Sequence, residues 1–340
     1  MMLPRIALTL GDVAGIGPEV IARAWCDARL RTWCRPIVVG HPGVLRRAVQ
    51  NWGGGFEVQP IDQIDAAIPD GNVIPCWNPG NEEAAAVPPG HHDARAGRAA
   101  YDCLVAATRA AIAGQIDAIT TAPLSKAALH LAGLNFPGHT EILAELCGVR
   151  EFAMMLYLPG IRPNEGQSLG VVHATLHTSI RSVPALLTTP LVLAKIRLID
   201  QFLRAVGVAP PRIGVCALNP HAGEEGLFGN EEHQIIAPAV AAAAAEGIAV
   251  AGPLPADALF KRAVQGEFDG VVAMYHDQGH IALKLVGFDR AVNVTLGLPI
   301  VRTSPSHGTA FDIAWQGKAR PDGMLEAIRV SALLARRESK

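Results

Sequence analysis

No uncharged apolar run in this chain approaches the ~20 residues of a membrane-spanning helix. The longest, such as Ile235 to Ala245, fall well short, although 50% of the 340 residues are hydrophobic. A dominant charge is also missing. The 29 Lys and Arg residues offset 31 Asp and Glu to a formal −2, which leaves no basic footprint for nucleic acid or anionic lipid. The apolar content excludes wholesale disorder. Six cysteines (Cys26, Cys34, Cys76, Cys103, Cys147, Cys216) contain no C-x-x-C pair, so neither a zinc ribbon nor a dithiol redox centre is indicated, and they read as reduced, buried fillers. Before Asp12 the only apolar stretch is Ile6 to Leu10, too short for a signal h-region. It reads as a first buried strand, with the cytoplasm as the expected location. There is no internal repeat and no charged or Ser/Gly-rich linker.

The length suits about two domains at ~150 residues each. Short β-rich runs alternate with longer Ala/Leu-rich ones, the pattern of an α/β protein with largely parallel sheets. Strands are expected at Arg5–Leu10, Pro36–Val39, Asn72–Trp77, Asp117–Thr120, Ala153–Leu158, Ser168–Thr175, Arg212–Leu218, Gly270–Tyr275 and Val292–Leu296. Helices are expected at Pro18–Cys26, Asp93–Ala113, Glu141–Cys147, Pro190–Val206, Glu231–Glu246, Asp257–Val264, Asp312–Trp315 and Leu325–Arg336, and Asn78–Gly90 reads as a long loop. Both a simple N/C division and two domains joined by more than one chain crossing fit this pattern.

Three histidines follow expected strands: His177, His221 in Leu218-Asn219-Pro220-His221, and His276. Sites form at that edge of parallel sheets, and three neutral imidazoles converging there would leave an open position on a divalent ion. Capping or a satisfied loop histidine is the alternative for each, and His173, in a strand body, competes with His177. Asp277 either orients a ligand histidine or N-caps the next helix.

Further groups suit anions. The loop Gly133–Gly138 opens a helix whose first turn carries His139, Thr140 and Glu141, where exposed N–H groups suit phosphate or carboxylate; capping equally accounts for Thr140. Lys284 and Arg302 lie among apolar neighbours with Asn293 between them and could clamp a phosphorylated acid, whereas Arg290 reads as a surface charge. The glycine-rich Gly11–Pro18 loop fails the G-x-G-x-x-G fingerprint and has no G-K-[ST]. The run Ser306–Ala314 reads as a helix entry.

With these residues in view, the chain resembles the 4-hydroxythreonine-4-phosphate dehydrogenase family of vitamin B6 biosynthesis over nearly its whole length. The resemblance rests on Gly11-Asp12-Val13-Ala14-Gly15-Ile16-Gly17-Pro18-Glu19, Thr121-Ala122-Pro123-Leu124-Ser125-Lys126, Pro137-Gly138-His139-Thr140-Glu141, Leu218-Asn219-Pro220-His221-Ala222-Gly223-Glu224, Gly252-Pro253-Leu254-Pro255-Ala256-Asp257 and Tyr275-His276-Asp277-Gln278-Gly279. It implies two α/β/α domains of the isocitrate/isopropylmalate dehydrogenase type with a cleft between them, here 1–124 plus 303–340 and 125–302. It also implies a homodimer whose subunits complete each other's sites.

The family's metal ligands fall on His177, His221 and His276, for Zn, Mg or Co, and its substrate-binding residues on His139, Thr140, Lys284, Asn293 and Arg302. Its cofactor, NAD with NADP as an alternative, is assigned to His307, Gly308, Thr309 and Asp312. Asp257 and Lys126 are candidates for proton transfer. Around His177 this chain reads Ala174-Thr175-Leu176-His177-Thr178-Ser179 where the family has Thr-Thr-His-Leu-Pro-Leu, which leaves the substrate open among relatives' hydroxy acids. The expected reaction oxidises 4-phosphohydroxy-L-threonine at C3 and then decarboxylates it to 3-amino-2-oxopropyl phosphate. Alternatives are 4-phospho-D-threonate, 4-phospho-D-erythronate or a dihydrodiol dicarboxylate. A three-histidine metal hydrolase, and a ligand-binding or acyl-phosphate transferase protein on the same scaffold, are the rivals from other classes.

Overall fold

The computed structural model describes residues 2–52, 54–67, 71–161 and 167–338. The chain forms two compact units, Met1–Arg150 with Leu298–Lys340 and Glu151–Gly297. In chain order the first unit begins β1 (Arg5–Thr9), α1 (Gly17–Trp25), α2 (Leu30–Trp33), β2 (Arg35–Val39), α3 (Pro42–Asn51), β3 (Glu57–Ile61), β4 (Val73–Trp77), α4 (Ala94–Ile112), β5 (Ala118–Thr121), α5 (Lys126–Leu131) and α6 (His139–Leu146). The second unit contributes β6 (Ala153–Leu158), β7 (Leu169–His173), α7 (Val183–Leu186), α8 (Thr189–Ala205), β8 (Ile213–Cys216), α9 (Ala237–Ala245), β9 (Val250–Leu254), α10 (Ala256–Val264), β10 (Gly270–Ala273), α11 (His276–Gly287) and β11 (Val292–Leu296). The chain then returns to the first unit as β12 (Val301–Pro305) and α12 (Asp322–Glu338).

Strands of the first unit run parallel in the order β3-β4-β2-β1-β5-β12. From β1 the chain winds outward through β2 to β3 and β4, then crosses back to β5 on the other side. That reversal is the switch point at which doubly wound sheets bind ligands. Side chains alternate across the sheet, so Ile119 packs with Leu104, Leu129 and Leu143 of α4, α5 and α6 on one face. On the other face Thr303 donates to the Ala327 carbonyl of α12.

In the second unit β7, β10, β8 and β9 are parallel neighbours, and β6 and β11 extend the sheet antiparallel on the β7 side. Leu259 and Phe260 of α10 and Leu283 of α11 cover one face with Val171 and Val271. Helix α8 packs on β7 and β10. Helices thus pack on the strands of each unit, a mixed α/β arrangement. Among the described residues no single helix is long and apolar enough to cross a membrane.

The structure departs from the sequence expectations in several places. The compact units divide at Arg150/Glu151 and Gly297/Leu298, and Leu129, Ile142 and Leu143 bury in the same cluster as Ala7 and Ile37, which places residues 125–150 in the first unit. Strands β3, β9 and β12 were not expected: β3 and β9 are edge strands carrying Pro60 and Pro253, and β12 (VRTSP) is fully buried although largely polar. The helix expected at Asp312–Trp315 is a series of turns, with Ala310 and Trp315 at φ 45° and 62°.

Candidate active site

In the first unit the switch point is bordered by the segments following β1, β5 and β12. The glycine-rich segment after β1 serves packing. A Cβ on Gly15 would lie 2.8 Å from the Thr309 carbonyl oxygen, so only glycine allows the Ile16 N–H to reach that oxygen at 3.0 Å. The Asp12 N–H donates to Pro123 O at 2.9 Å, joining the segments after β1 and β5. The Asp12 side chain is fully buried, with Oδ1 accepting from the Ala14 N–H at 2.9 Å. Oδ2 has no hydrogen-bond partner among the described residues, and burial pushes the carboxyl up to about 6.

Helix α6 starts at His139 behind Gly138, which supplies no side-chain cap, so Thr140 lies buried in the first turn and is not the cap. Burial, with the Arg302 charge adding to it, pushes the His139 pKa well below the usual histidine range and leaves the ring neutral. Arg302 on β12 is only 2% exposed and donates to Thr121 Oγ1 at 2.6 Å. Burial pulls its pKa down to about 9, against a smaller opposing effect of Glu141. A buried guanidinium beside a helix N-terminus and a neutral imidazole is an environment that favours an anion.

Lys126 opens α5 and is exposed. His92 is exposed but bonds Ser125 Oγ through Nδ1 at 2.9 Å and packs edge-on against Phe311. In the segment after β12, His307 Nδ1 lies 3.1 Å from Gly308 O. Gly308 and Asp312 are exposed, and a Cβ on Gly308 would meet nothing within 4 Å.

In the second unit β7, β10 and β8 are parallel neighbours, so His177, His276 and His221, which follow them, share one sheet edge. The side chains divide differently. His177 and His276 line one cavity of about 370 Å³ with Leu176, Ile180, Tyr275 and Asp277, and their ring centroids are 5.7 Å apart. Asp277 Oδ1 accepts from His276 Nδ1 at 2.6 Å. Because the carboxylate only accepts, His276 carries its proton on Nδ1, which leaves the Nε2 lone pair for a ligand. Tyr275 is the N-cap of α11, so the capping alternative for Asp277 is set aside.

His221 does not line that cavity. It is exposed on a turn, residues 221–225, whose φ values are 52°, 55°, 82°, 43° and 54°. Four of these five left-handed residues are not glycine, a strained arrangement that surrounding structure must hold. Part of that hold is Glu232, 5% exposed, whose carboxylate accepts the N–H groups of Leu218 (2.8 Å) and Asn219 (2.7 Å) and Asn219 Nδ2 (3.0 Å). Among the described residues no three His, Cys, Asp or Glu side chains are grouped to hold a metal ion. The donor chemistry of His177 and His276 suits a divalent ion, and within one chain the third imidazole is not beside them.

Asn293 on β11 has its Oδ1 buried without a hydrogen-bond partner among the described residues, an acceptor waiting for a donor. The half-buried Lys284 places Nζ 5.4 Å from the Phe288 ring centroid. Asp257 is exposed in the first turn of α10.

The competing His173 is buried at 1% exposure and contacts His280, also buried, with its Nε2 3.0 Å from His280 Nδ1. Burial lowers the two pKa values to about 3 and about 4. His280 was given no role from the sequence. Its signal was the four-residue spacing from His276, which puts both on one helix face.

Comparison with known proteins follows this geometry. Residues 32–331 match the PdxA family, pyridoxal phosphate biosynthetic proteins. The chain is 46% identical over 331 residues to a D-threonate 4-phosphate dehydrogenase of Pectobacterium atrosepticum, covering 97% of this chain and 99% of that one. It is 45% identical over 333 residues to a 4-hydroxythreonine-4-phosphate dehydrogenase of Geobacter metallireducens, covering 98% and 96%. A crystal structure of a Klebsiella pneumoniae 4-hydroxythreonine-4-phosphate dehydrogenase is similar with a TM-score of 0.86 at 44% identity, covering 98% and 99%. At the level of fold alone the likeness extends to a β-decarboxylating dehydrogenase of Thermococcus kodakarensis (TM-score 0.51, 16% identity, covering 98% and 82%).

Proposed function

The chain belongs to the PdxA family, and from that premise we propose that it is a cytoplasmic, NAD- and divalent-metal-dependent dehydrogenase that oxidises 4-phosphohydroxy-L-threonine at C3 and decarboxylates the product to 3-amino-2-oxopropyl phosphate. The observation that carries this reading is the pairing of His177 and His276 on one cavity, with Asp277 holding the His276 proton on Nδ1. A second reading, the same chemistry on 4-phospho-D-threonate or 4-phospho-D-erythronate, is favoured by the D-threonate 4-phosphate dehydrogenase at equal similarity.

Bound NAD would serve as the hydride acceptor and a divalent ion would supply Lewis acidity, chemistry that suits oxidation of an alcohol to a β-keto acid and its decarboxylation. The metal, Zn, Mg or Co, would be held by His177, His276 and His221. Since His221 does not line the cavity of the other two, we assign completion of the set to a second copy of the chain in a homodimer. Ile281 and Leu285 on α11 and Phe288 at its C-cap, exposed at helical spacing, together with the exposed Leu227 and Phe228, support such an apolar interface.

Arg302 and Lys284 hold substrate anions by charge-assisted bonds, and His139 and Thr140 bind at the same helix N-terminus as neutral groups. Asn293 Oδ1 accepts from a substrate donor such as a hydroxyl or ammonium group. Lys126 and Asp257 are the candidates for moving a proton. For the nucleotide, Asp312 offers a carboxylate to ribose hydroxyls and Gly308 gives room for close approach, with His307 and Thr309 completing the segment. NADP is the alternative cofactor.

The test is NADH formation by the metal-reconstituted enzyme with 4-phosphohydroxy-L-threonine, 4-phospho-D-threonate and 4-phospho-D-erythronate, alongside His221→Ala. Preference for the first substrate, lost in the variant, supports the leading reading. Preference for a sugar-acid phosphate selects the second, and no NADH from any of them refutes both.

A further inference from the structure

The buried pair His173 and His280 has no part in the function proposed so far. Two imidazoles in an apolar interior carry a desolvation penalty that a Leu pair would avoid, so their retention calls for a use. His173, the last residue of β7, has Nδ1 3.5 Å from the Met154 carbonyl of β6. A carbonyl only accepts, so this neutral ring carries its proton on Nδ1 and presents a lone pair at Nε2. His280 Nδ1, 3.0 Å away, must then donate to it. The His280 ring in turn stacks on His276, with centroids 3.7 Å apart and planes inclined by 14°. On its other side His276 is tied to Asp277.

We infer that His173 and His280 are positioning residues which fix the ring plane of His276 through a chain running from the β6 backbone, across a directed imidazole–imidazole hydrogen bond, to a ring stack. The inference rests on the reading of His276 as a metal ligand and deepens it. Gly279 belongs to the same device. A Cβ there would lie 2.5 Å from His173 Nε2 and 2.8 Å from Val171 Cγ1, so α11 carries glycine where His173 presses against its backbone.

The experiment compares His173→Leu, His173→Gln, His280→Leu and Gly279→Ala by Co²⁺ titration and by ¹⁵N imidazole NMR of the metal-free protein, with cooperative thermal melting as the check on folding. The Gln amide oxygen can take the place of His173 Nε2 as acceptor, whereas Leu only fills space. Positioning predicts that both Leu variants and Gly279→Ala weaken Co²⁺ binding by about ten- to a hundredfold, as loss of a ligand's supporting partner does, while His173→Gln retains most of the affinity. Combining the two Leu changes should be no worse than either alone. Simple core packing predicts the reverse order, with Leu at least as good as Gln at this buried site. Affinities within about twofold of the parent in all folded variants would overturn the inference.

If the parent itself takes up no Co²⁺, the ligand reading of His276 falls, and the spectrum alone decides on the pair. Loss of the single Nδ1-protonated state of His276 in the Leu variants, kept in His173→Gln, supports positioning; an unchanged His276 signal overturns it.

Discussion

Glu19 and Trp315 lie 296 residues apart, and the Glu19 carboxylate accepts the Trp315 backbone N–H at 2.5 Å. The same carboxylate accepts the Gly317 N–H at 3.1 Å, and the Trp315 indole donates to Val13 O at 3.0 Å. Glu19 is fully buried. The acid of the Gly-Pro-Glu motif is therefore a clamp that holds the segment proposed to bind the nucleotide. Glu19→Gln keeps the shape but turns an N–H donor toward one of the two backbone donors. It should lower stability by about 2 kcal/mol and raise the KM for NAD more than that for the phosphorylated substrate. Urea unfolding and steady-state kinetics check both, and an unchanged unfolding midpoint would refute the clamp.

Asp12 links stability to pH. Its carboxyl is held at about 6 in the folded protein against an ordinary 3.8, chiefly by burial. Between those values the folded state binds the extra proton, so this contribution is complete below pH 3.8 and disappears as pH rises through 6. The loss amounts to about 3 kcal/mol. Asp12→Asn should remove that part of the slope and be more stable than the parent at about pH 8. Urea unfolding across the range measures it, and parallel pH profiles for the two proteins would contradict the assignment.

The left-handed turn after β8 is open to relief of strain. Glu224 and Glu225 are exposed at φ 43° and 54°, so replacing either by glycine removes a backbone penalty without emptying any packed space. A gain of about 1 kcal/mol is expected from each of Glu224→Gly and Glu225→Gly. A shift of the urea midpoint to lower concentration would count against strain at the turn.

Arg302→Met separates binding from stability. Removing a buried cation in favour of an apolar side chain of similar length is expected to leave stability unchanged or to raise it. Loss of charge-assisted bonds to a substrate anion should cut kcat/KM about thirtyfold, or ~2 kcal/mol. Steady-state kinetics beside thermal melting tests this. A large fall in melting temperature with normal kinetics would make Arg302 a structural residue.

Metal removal gives the last expectation. Treatment with a chelator should abolish NADH formation, and adding back Zn²⁺ or Co²⁺ should restore it in the parent but not in His276→Ala. Full activity after verified metal removal would eliminate the metal-dependent reading.

Several parts of this architecture are legible in the amino-acid order. Val-rich runs such as GVVA of β10 bury every residue, and the histidines after β7, β8 and β10 mark one sheet edge because parallel strands end together. Other parts escape local patterning. Strand β12 looks polar, yet it buries Arg302, Thr303 and Ser304, because Thr303 pairs with Thr120 and Ala327 O, and Arg302 with Thr121. The helical look of Asp312–Trp315 yields to turns once the Trp315 N–H has the distant Glu19 to bond.

Short-range periodicity settles the apolar strands and the amphipathic helices, and with them the edge that carries the histidines, since the side-chain periods of 2.0 and 3.6 are local properties of the backbone. Tertiary packing settles the rest: that residues 125–150 join the first unit, that His173 turns inward to His280, and that His221 rides a left-handed turn away from the cavity of His177 and His276. Those outcomes depend on burial and hydrogen bonds between residues far apart in the chain. No local propensity encodes such partners, because each bond forms only after the other elements have been brought into place.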